Sequence, residues 1–220
     1  MAQESIDIRI PLTGETAPSF KAESTIGPIN FPKDYYGKWK ILFSHPADFT
    51  PVCSTELLEL ANDQESFKEL NTQIVVMSTD SKNSHIEWIS SLEDLTYKGR
   101  EIEEIDFPVV ADDNLNISKK YGMIHPNTSS TKDVRGVFVI DPSGKIRAIF
   151  YYPMEVGRNM DEIKRTVIAL QTVASKGILT PANWEPGDDV LIKVRPENEG
   201  QPADKDVYQV IWYMTFKKLR

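Results

Sequence analysis

Apolar and polar residues fall in blocks along this chain, and the spacing within the blocks changes from one to the next. WKILFS at 39–44 is a compact apolar run suited to a buried strand. From about residue 52, Leu57, Leu58, Leu60, Ala61, Phe67 and Leu70 follow a helical pattern. QIVVMST at 73–79 predicts a second buried strand, and Ile86, Ile89, Leu92 and Leu95 recur at the spacing of a second helix. FPVVAD at 107–112 is short enough for a third strand. RGVFVID (135–141) and KIRAIFYYP (145–153) flank Pro-Ser-Gly, the signal of a hairpin. Ile163, Val167, Leu170 and Val173 mark a last long helix, with Gly177 placed to cap its C-terminus.

The order is strand–helix–strand–helix–strand, then a hairpin and a helix. Such alternation implies parallel strands joined by right-handed crossovers, and the hairpin adds an antiparallel edge. The expectation is an α/β protein with a mixed central sheet, a pattern that resembles the thioredoxin-like fold. The Pro/Gly-punctuated opening, PLTGETAPSF and TIGPINFPKDYYG, carries no clear element. Beyond the last helix Pro181, Pro186, Pro196 and Pro202 break up the chain, and the tail ends in Tyr208, Trp212, Tyr213 and Phe216. The expected organisation is a main domain over 1–176 and a small extension over 177–220. The aromatic tail carries too much apolar surface to leave in water, so it is expected to pack on the main domain or on a second subunit.

Composition narrows the class of molecule. The chain has 220 residues, 40% hydrophobic and 26% charged, ordinary for a globular protein with ample material for a core. A net charge of −8 argues against nucleic-acid partners, which select basic surfaces. No apolar run approaches the roughly 18 residues of a membrane span, and the N-terminus has neither a basic start nor an apolar secretory core. The cytoplasm is therefore the expected compartment, with no membrane partner. Three dispersed histidines (His45, His85, His125) and one cysteine make a structural zinc site improbable.

That cysteine, Cys53, sits in SHPADFTPVCSTE at 44–56. Thr50 followed by Pro51 reads as a helix start, since threonine is a good N-cap and proline suits the first helical position. Cys53 then falls in the first turn, where free backbone N–H groups and the helix dipole favour a thiolate. A buried cysteine can equally be inert packing. With one thiol no intramolecular disulfide can form, so any oxidised state must be resolved by another molecule.

Pro46-x-x-x-Thr50-x-x-Cys53 resembles the active-site signature of the peroxiredoxins, thiol peroxidases of thioredoxin-like fold. SHPADFTPVCSTEL resembles the one-cysteine branch of that family. Further likenesses follow in order: STDSKNSHIEWI at 78–89, FPVVAD, Arg135 opening RGVFVIDPSG, YPMEVGRN at 152–159 and PANWEPGDDV at 181–190. The resemblance implies that Cys53 attacks the peroxide O–O bond and becomes a sulfenic acid. It implies that Thr50 hydrogen-bonds thiolate and peroxide, that Pro46 shields the pocket, and that Arg135 stabilises the thiolate and orients the peroxide. Arg158 matches a second arginine of the branch, Glu56 an acidic residue that orients the arginines, and His45 a histidine beside the cysteine. Taken without the resemblance, Arg135, Arg158, Glu56 and His45 are ordinary strand-end, surface, helix-dipole and capping residues, and His85 reads as structural.

Two departures from the family pattern matter. The tail VYQVIWYMTFKK resembles a segment that carries further cysteines in some long-tailed relatives, but Thr215 stands where the resolving thiol would be. Lys38 occupies the position of a serine tied to phospholipase activity in animal members, so that activity is not expected. The resemblance implies a peroxidase for hydrogen peroxide and small alkyl hydroperoxides, regenerated by an external thiol such as thioredoxin, glutaredoxin or a small thiol, with no metal or other cofactor. It also implies a homodimer paired through KIRAIFYYP, with a decameric ring as a larger assembly. A peroxide sensor or relay, and a chaperone-like ring, are the rival functions.

Overall fold

The computed structural model describes residues 9–102, 104–193 and 205–219. Contacts divide the chain into two compact units, residues 1–160 and 161–220. The first unit opens with β1 (Phe20–Ser24) and β2 (Gly27–Phe31), paired antiparallel as a hairpin. The punctuated sequence here gave no sign of strands, because Gly27 and Pro28 lie inside β2. An edge strand tolerates both, since its outer N–H groups need no ladder partner, and β2 is an edge.

The elements that follow are those the apolar pattern predicts. They are β3 (Trp39–Ser44), α1 (Pro51–Glu69), β4 (Thr72–Ser78) and α2 (Lys82–Glu93). A small ribbon of β5 (Thr96–Tyr97) and β6 (Arg100–Glu101) leads to β7 (Val109–Ala111), the short α3 (Asn116–Lys120), and the hairpin of β8 (Arg135–Ile140) and β9 (Ile146–Tyr152). The seven-stranded sheet runs β2-β1-β7-β4-β3-β8-β9. β3, β4 and β7 are parallel, while β8 lies antiparallel to β3 and carries β9 on the sheet edge.

β3 is buried at all six positions and β8 likewise, as expected for central strands covered on both faces. Lys40 is the charged exception within β3: its Nζ donates to the Asp141 carbonyl at 2.8 Å, so the ammonium ties the strand to the β8–β9 turn. In α2 the expected apolar face is only half right. Ile89 and Leu92 are buried, whereas Ile86 is 45% exposed, as is Leu95, which lies beyond the end of the helix. His85 and Trp88 hold the inner positions instead, one turn apart on the buried face.

In the second unit, α4 (Met160–Lys176) ends at Gly177 with φ 64, the left-handed cap expected there. β10 (Val190–Ile192), β11 (Val207–Ile211) and β12 (Met214–Lys217) form a three-stranded antiparallel sheet in the order β10-β12-β11. Its small core gathers Ala169, Ile178, Trp184 and Val190. The Trp184 indole N–H donates to the Asp188 carbonyl at 3.2 Å, and Arg165 donates to the Trp184 carbonyl at 2.9 Å. Thr215, on β12, is buried, while Trp212 and Tyr213 at the β11–β12 turn are 71% and 67% exposed.

Candidate active site

Thr50 and Pro51 begin α1 as the sequence predicts, with Thr50 at the N-cap, Pro51 first and Cys53 third. Thr50 does not cap with its side chain: its hydroxyl donates to the Ala47 carbonyl at 2.9 Å. The turn into the helix passes through Phe49 at φ 52, a left-handed conformation that is costly for a residue with a Cβ. Cys53 itself is 1% exposed, and Pro46, in the loop that precedes α1, is also buried.

One helical turn beyond Cys53, on the same face, lies Glu56, with its side chain only 3% exposed. Its carboxylate joins two arginines from distant parts of the chain. Arg135, the first residue of β8, donates from Nη1 to Glu56 Oε2 at 2.6 Å and to Cys53 Sγ at 3.4 Å. The other side of its guanidinium, Nε and Nη2, donates to the Met154 carbonyl at 2.8 and 2.6 Å. Arg158 clasps Glu56 through its backbone N and Nε on Oε1, both at 2.8 Å, and Nη2 on Oε2 at 2.7 Å.

Arg158 spends its remaining donor capacity on strand carbonyls: Nη1 reaches Ser44 O at 2.8 Å and Gly136 O at 2.9 Å. Its guanidinium carbon stands 3.3 Å from the centroid of the Phe43 ring, so the cation also covers an aromatic face. Gly136 also donates its N–H to Ser44 Oγ at 2.9 Å, a close approach in which a Cβ would come within 3.1 Å of that oxygen. Burial pushes the Glu56 carboxyl up, but Arg158 and Arg135 outweigh it and hold the group below the usual carboxylate range. Burial also pushes the Arg158 guanidinium down, against the pull of Glu56. The buried cluster therefore carries two cations and one anion around the sulfur.

His45 follows β3, 2% exposed, its ring 5.0 Å from the Trp88 ring. Its Nε2 lies 2.8 Å from Asp48 Oδ1, and His85 Nδ1 lies 2.8 Å from Asp48 Oδ2. Among the described residues this trio is the one group with donor atoms close enough to suggest a metal site. Contacts of 2.8 Å are hydrogen bonds, however; donor atoms around a tetrahedral zinc stand about 3.3 Å apart. Sequence reasoning placed His45 in the site but missed Asp48 and the indole of Trp88, which donates to Ser54 Oγ at 3.1 Å, next to Cys53. So Cys53, Glu56, Arg135 and Arg158 meet directly, and His45 joins through the neighbouring Asp48 network. Thr50 and Pro46 lie on the loop that enters α1.

Residues 13–149 match the AhpC/TSA family, and residues 169–201 match the C-terminal domain of 1-Cys peroxiredoxin. A peroxiredoxin of Methanosarcina mazei is 49% identical, over 95% of this chain and 98% of its own length. The chain belongs to the peroxiredoxin family. A peroxiredoxin of Aquifex aeolicus is likewise 49% identical, over 96% of this chain and 99% of its own. Among solved structures, a yeast mitochondrial 1-Cys peroxiredoxin superposes with a TM-score of 0.85 at 36% identity, covering 96% of this chain and all of the other. Peroxiredoxin 6 of Arenicola marina superposes with a TM-score of 0.82 at 32% identity, covering 94% of this chain and 98% of the other. The fold is accordingly thioredoxin-like, and this peroxiredoxin, with its single cysteine, is a thiol-dependent peroxidase of the one-cysteine type.

Proposed function

We propose that this chain reduces hydrogen peroxide and small organic hydroperoxides at Cys53. The observation that carries the reading is Arg135 Nη1, 3.4 Å from the Cys53 sulfur and held there by Glu56 and the Met154 carbonyl. Two arginines against one glutamate leave one positive charge in a buried site, and a thiolate at Cys53 balances it. The sulfur lone pair attacks the near oxygen of the peroxide, the O–O bond breaks, and the far oxygen leaves as hydroxide or alkoxide and takes up a proton. Sulfur, oxidised, keeps the near oxygen as a sulfenic acid.

Each remaining residue has a part in this reading. Arg135 donates to the peroxide as charge moves from sulfur to the departing oxygen, while the Thr50 hydroxyl, which gives its one proton to the Ala47 carbonyl, accepts from the peroxide O–H. Glu56 and Arg158 hold Arg135 in place, Pro46 shields the pocket, and His45 supports it. A first external thiol condenses with the sulfenic acid, releasing water and leaving a mixed disulfide. A second thiol frees Cys53. Thioredoxin, glutaredoxin and small thiols are the donor classes, and the cytoplasm is the compartment that supplies them.

The reading extends to assembly. β9 closes one edge of the large sheet with unpaired ladder groups and half-buried side chains, a surface suited to pairing with a second copy. Residues 177–220, with Trp212 and Tyr213 exposed, serve as the dimerisation extension of a 1–176 peroxidase domain, and dimers assemble further into a decamer. The test is chemical. After one equivalent of peroxide, Cys53 is expected to be a sulfenic acid that one of thioredoxin, glutaredoxin or glutathione returns to the thiol. Failure of every thiol donor to regenerate it would sink the reading.

A further inference from the structure

Ser44 closes β3, wholly buried, and takes no part in the chemistry above. The β3–β8 ladder stops one residue before it, at the pair Phe43–Val137. There the serine hydroxyl takes over from the backbone. Its Oγ donates to the Val134 carbonyl at 2.7 Å and accepts the Gly136 N–H at 2.9 Å. Those two peptide groups stand on either side of Arg135. The Gly136 N–H also lies 3.0 Å from the Val134 carbonyl, so the chain bends at the arginine in a three-residue turn. A hydroxyl carries one donor hydrogen and two acceptor lone pairs, which lets a single side chain bind both groups.

Arg135 is thus held at both ends, and by different partners. Glu56 and the Met154 carbonyl fix its guanidinium. Ser44 fixes the backbone from which the side chain departs. Several rotatable bonds separate the two ends, so the direction of departure decides where the guanidinium can reach. That reach matters at a reacting centre, where a misplacement of about 1 Å can cost on the order of a hundredfold in rate. Arg158 meets Ser44 differently: its Nη1 donates to the serine's backbone carbonyl at 2.8 Å, a bond that any residue at this position would offer. The hydroxyl therefore serves Arg135, and the carbonyl serves Arg158.

We propose that Ser44 is a positioning residue of the peroxidase site: its hydroxyl clamps the peptide groups flanking Arg135 and so holds the guanidinium against the Cys53 sulfur. The proposal rests on the reading of Cys53 as the peroxide-reactive atom. It adds the part that sets where Arg135 leaves the backbone. A hydroxyl that merely joined β3 to β8 would touch stability alone, since the ladder from Lys40 to Phe43 already pairs the two strands.

Ser44→Ala in the full chain removes the clamp and little volume. The rate of Cys53 oxidation by hydrogen peroxide should fall roughly tenfold, the equivalent of one hydrogen bond. Its crystal structure should show Arg135 Nη1 out of hydrogen-bonding reach of the sulfur, with the bonds between Arg158 and Glu56 intact. A wild-type rate, or an unmoved Arg135, would overturn the proposal. Ser44→Thr keeps the hydroxyl and should restore most of the rate; a threonine variant as slow as Ser44→Ala would show that the hydroxyl is not what matters. Combined with Arg135→Ala, Ser44→Ala should cost nothing more. Losses that multiply there would mean that the serine acts apart from the arginine, and the proposal would fail. Cys53→Ser in the same assay tests the underlying reading by itself: persistent peroxide consumption would remove Cys53 from the chemistry, whereas the place of Arg135 in the Ser44→Ala structure still tests the clamp.

Discussion

Arg135 and Cys53, 82 residues apart in the chain, meet with guanidinium Nη1 3.4 Å from sulfur. The contact depends on both ends of the guanidinium fork, one on Glu56 and the other on the Met154 carbonyl. Arg135→Ala should slow the reaction of Cys53 with hydrogen peroxide by about 2–4 kcal/mol of barrier, on the order of a hundredfold. Arg135→Lys keeps the charge but loses the fork, so it should fall between the two. Stopped-flow rates under pseudo-first-order peroxide would read both, and an Arg135→Ala rate equal to wild type would remove the arginine from the chemistry.

Glu56 is the hinge of the charge cluster, and Glu56→Gln would leave Arg135 and Arg158 facing each other, buried, without their anion. Loss of one partner from a buried pair costs about 3–5 kcal/mol, so a large drop in melting temperature is expected. The sign with pH follows from the depressed carboxyl. Its contribution is present above the ordinary glutamate value near ~4.3 and is lost as pH falls through the lower folded value. The difference in stability between wild type and Glu56→Gln, measured by denaturant titration, should therefore shrink on acidification below about pH 4. A difference independent of pH would contradict it.

How much of this was legible in the sequence depends on whether the interaction is local. Pro46, Thr50 and Cys53 lie within one loop and helix start, and the Thr-Pro pair announced the helix correctly. The strands β3, β4 and β8 were visible as apolar runs because central strands bury both faces. The meeting of Glu56 with Arg135 and Arg158 spans 79 and 102 residues, and residue resemblance suggested it where no periodicity could. Asp48 escaped notice because aspartate is rarely buried, and an Asp before a helix reads as a turn. His85 took an inner position that the pattern gave to Ile86, since Asp48 and the Val110 carbonyl satisfy its polar atoms there. Such satisfaction is tertiary information.

Asp133 offers a stability prediction of the opposite sign. It is fully buried beside the Ser118 hydroxyl, which gives its proton to Asp112 at 2.6 Å, so neither Asp133 oxygen receives a well-formed hydrogen bond from the described residues. Burial raises its carboxyl to about 8, with the Asp112 carboxylate adding to the effect. The folded state holds the proton more tightly than the unfolded chain, whose aspartates titrate near ~3.9. Its effect on stability is therefore absent at low pH, and stability is lost as pH rises through that window, by up to ~1.4 kcal/mol per pH unit. Asp133→Asn should gain stability over wild type progressively between about pH 4 and the folded value. A constant gain across the range would rule out the titration.

Trp88 and Ser54 tie α2 to the first turn of α1 through the 3.1 Å indole hydrogen bond. Ser54→Ala leaves the buried indole N–H without its acceptor, at a cost of about 1–3 kcal/mol. Amide hydrogen exchange in residues 52–56 should quicken in this variant. Unchanged protection there would show that the tie contributes nothing to the order of the turn that holds Cys53.

The central claim, that Cys53 is the atom that takes oxygen from peroxide, has a direct test. Intact-mass analysis of the reduced chain after one equivalent of hydrogen peroxide, with peptide mapping, should find one added oxygen confined to Cys53, and Cys53→Ser should neither gain it nor consume peroxide. Oxygen on another residue, or undiminished peroxide consumption by Cys53→Ser, would contradict the account.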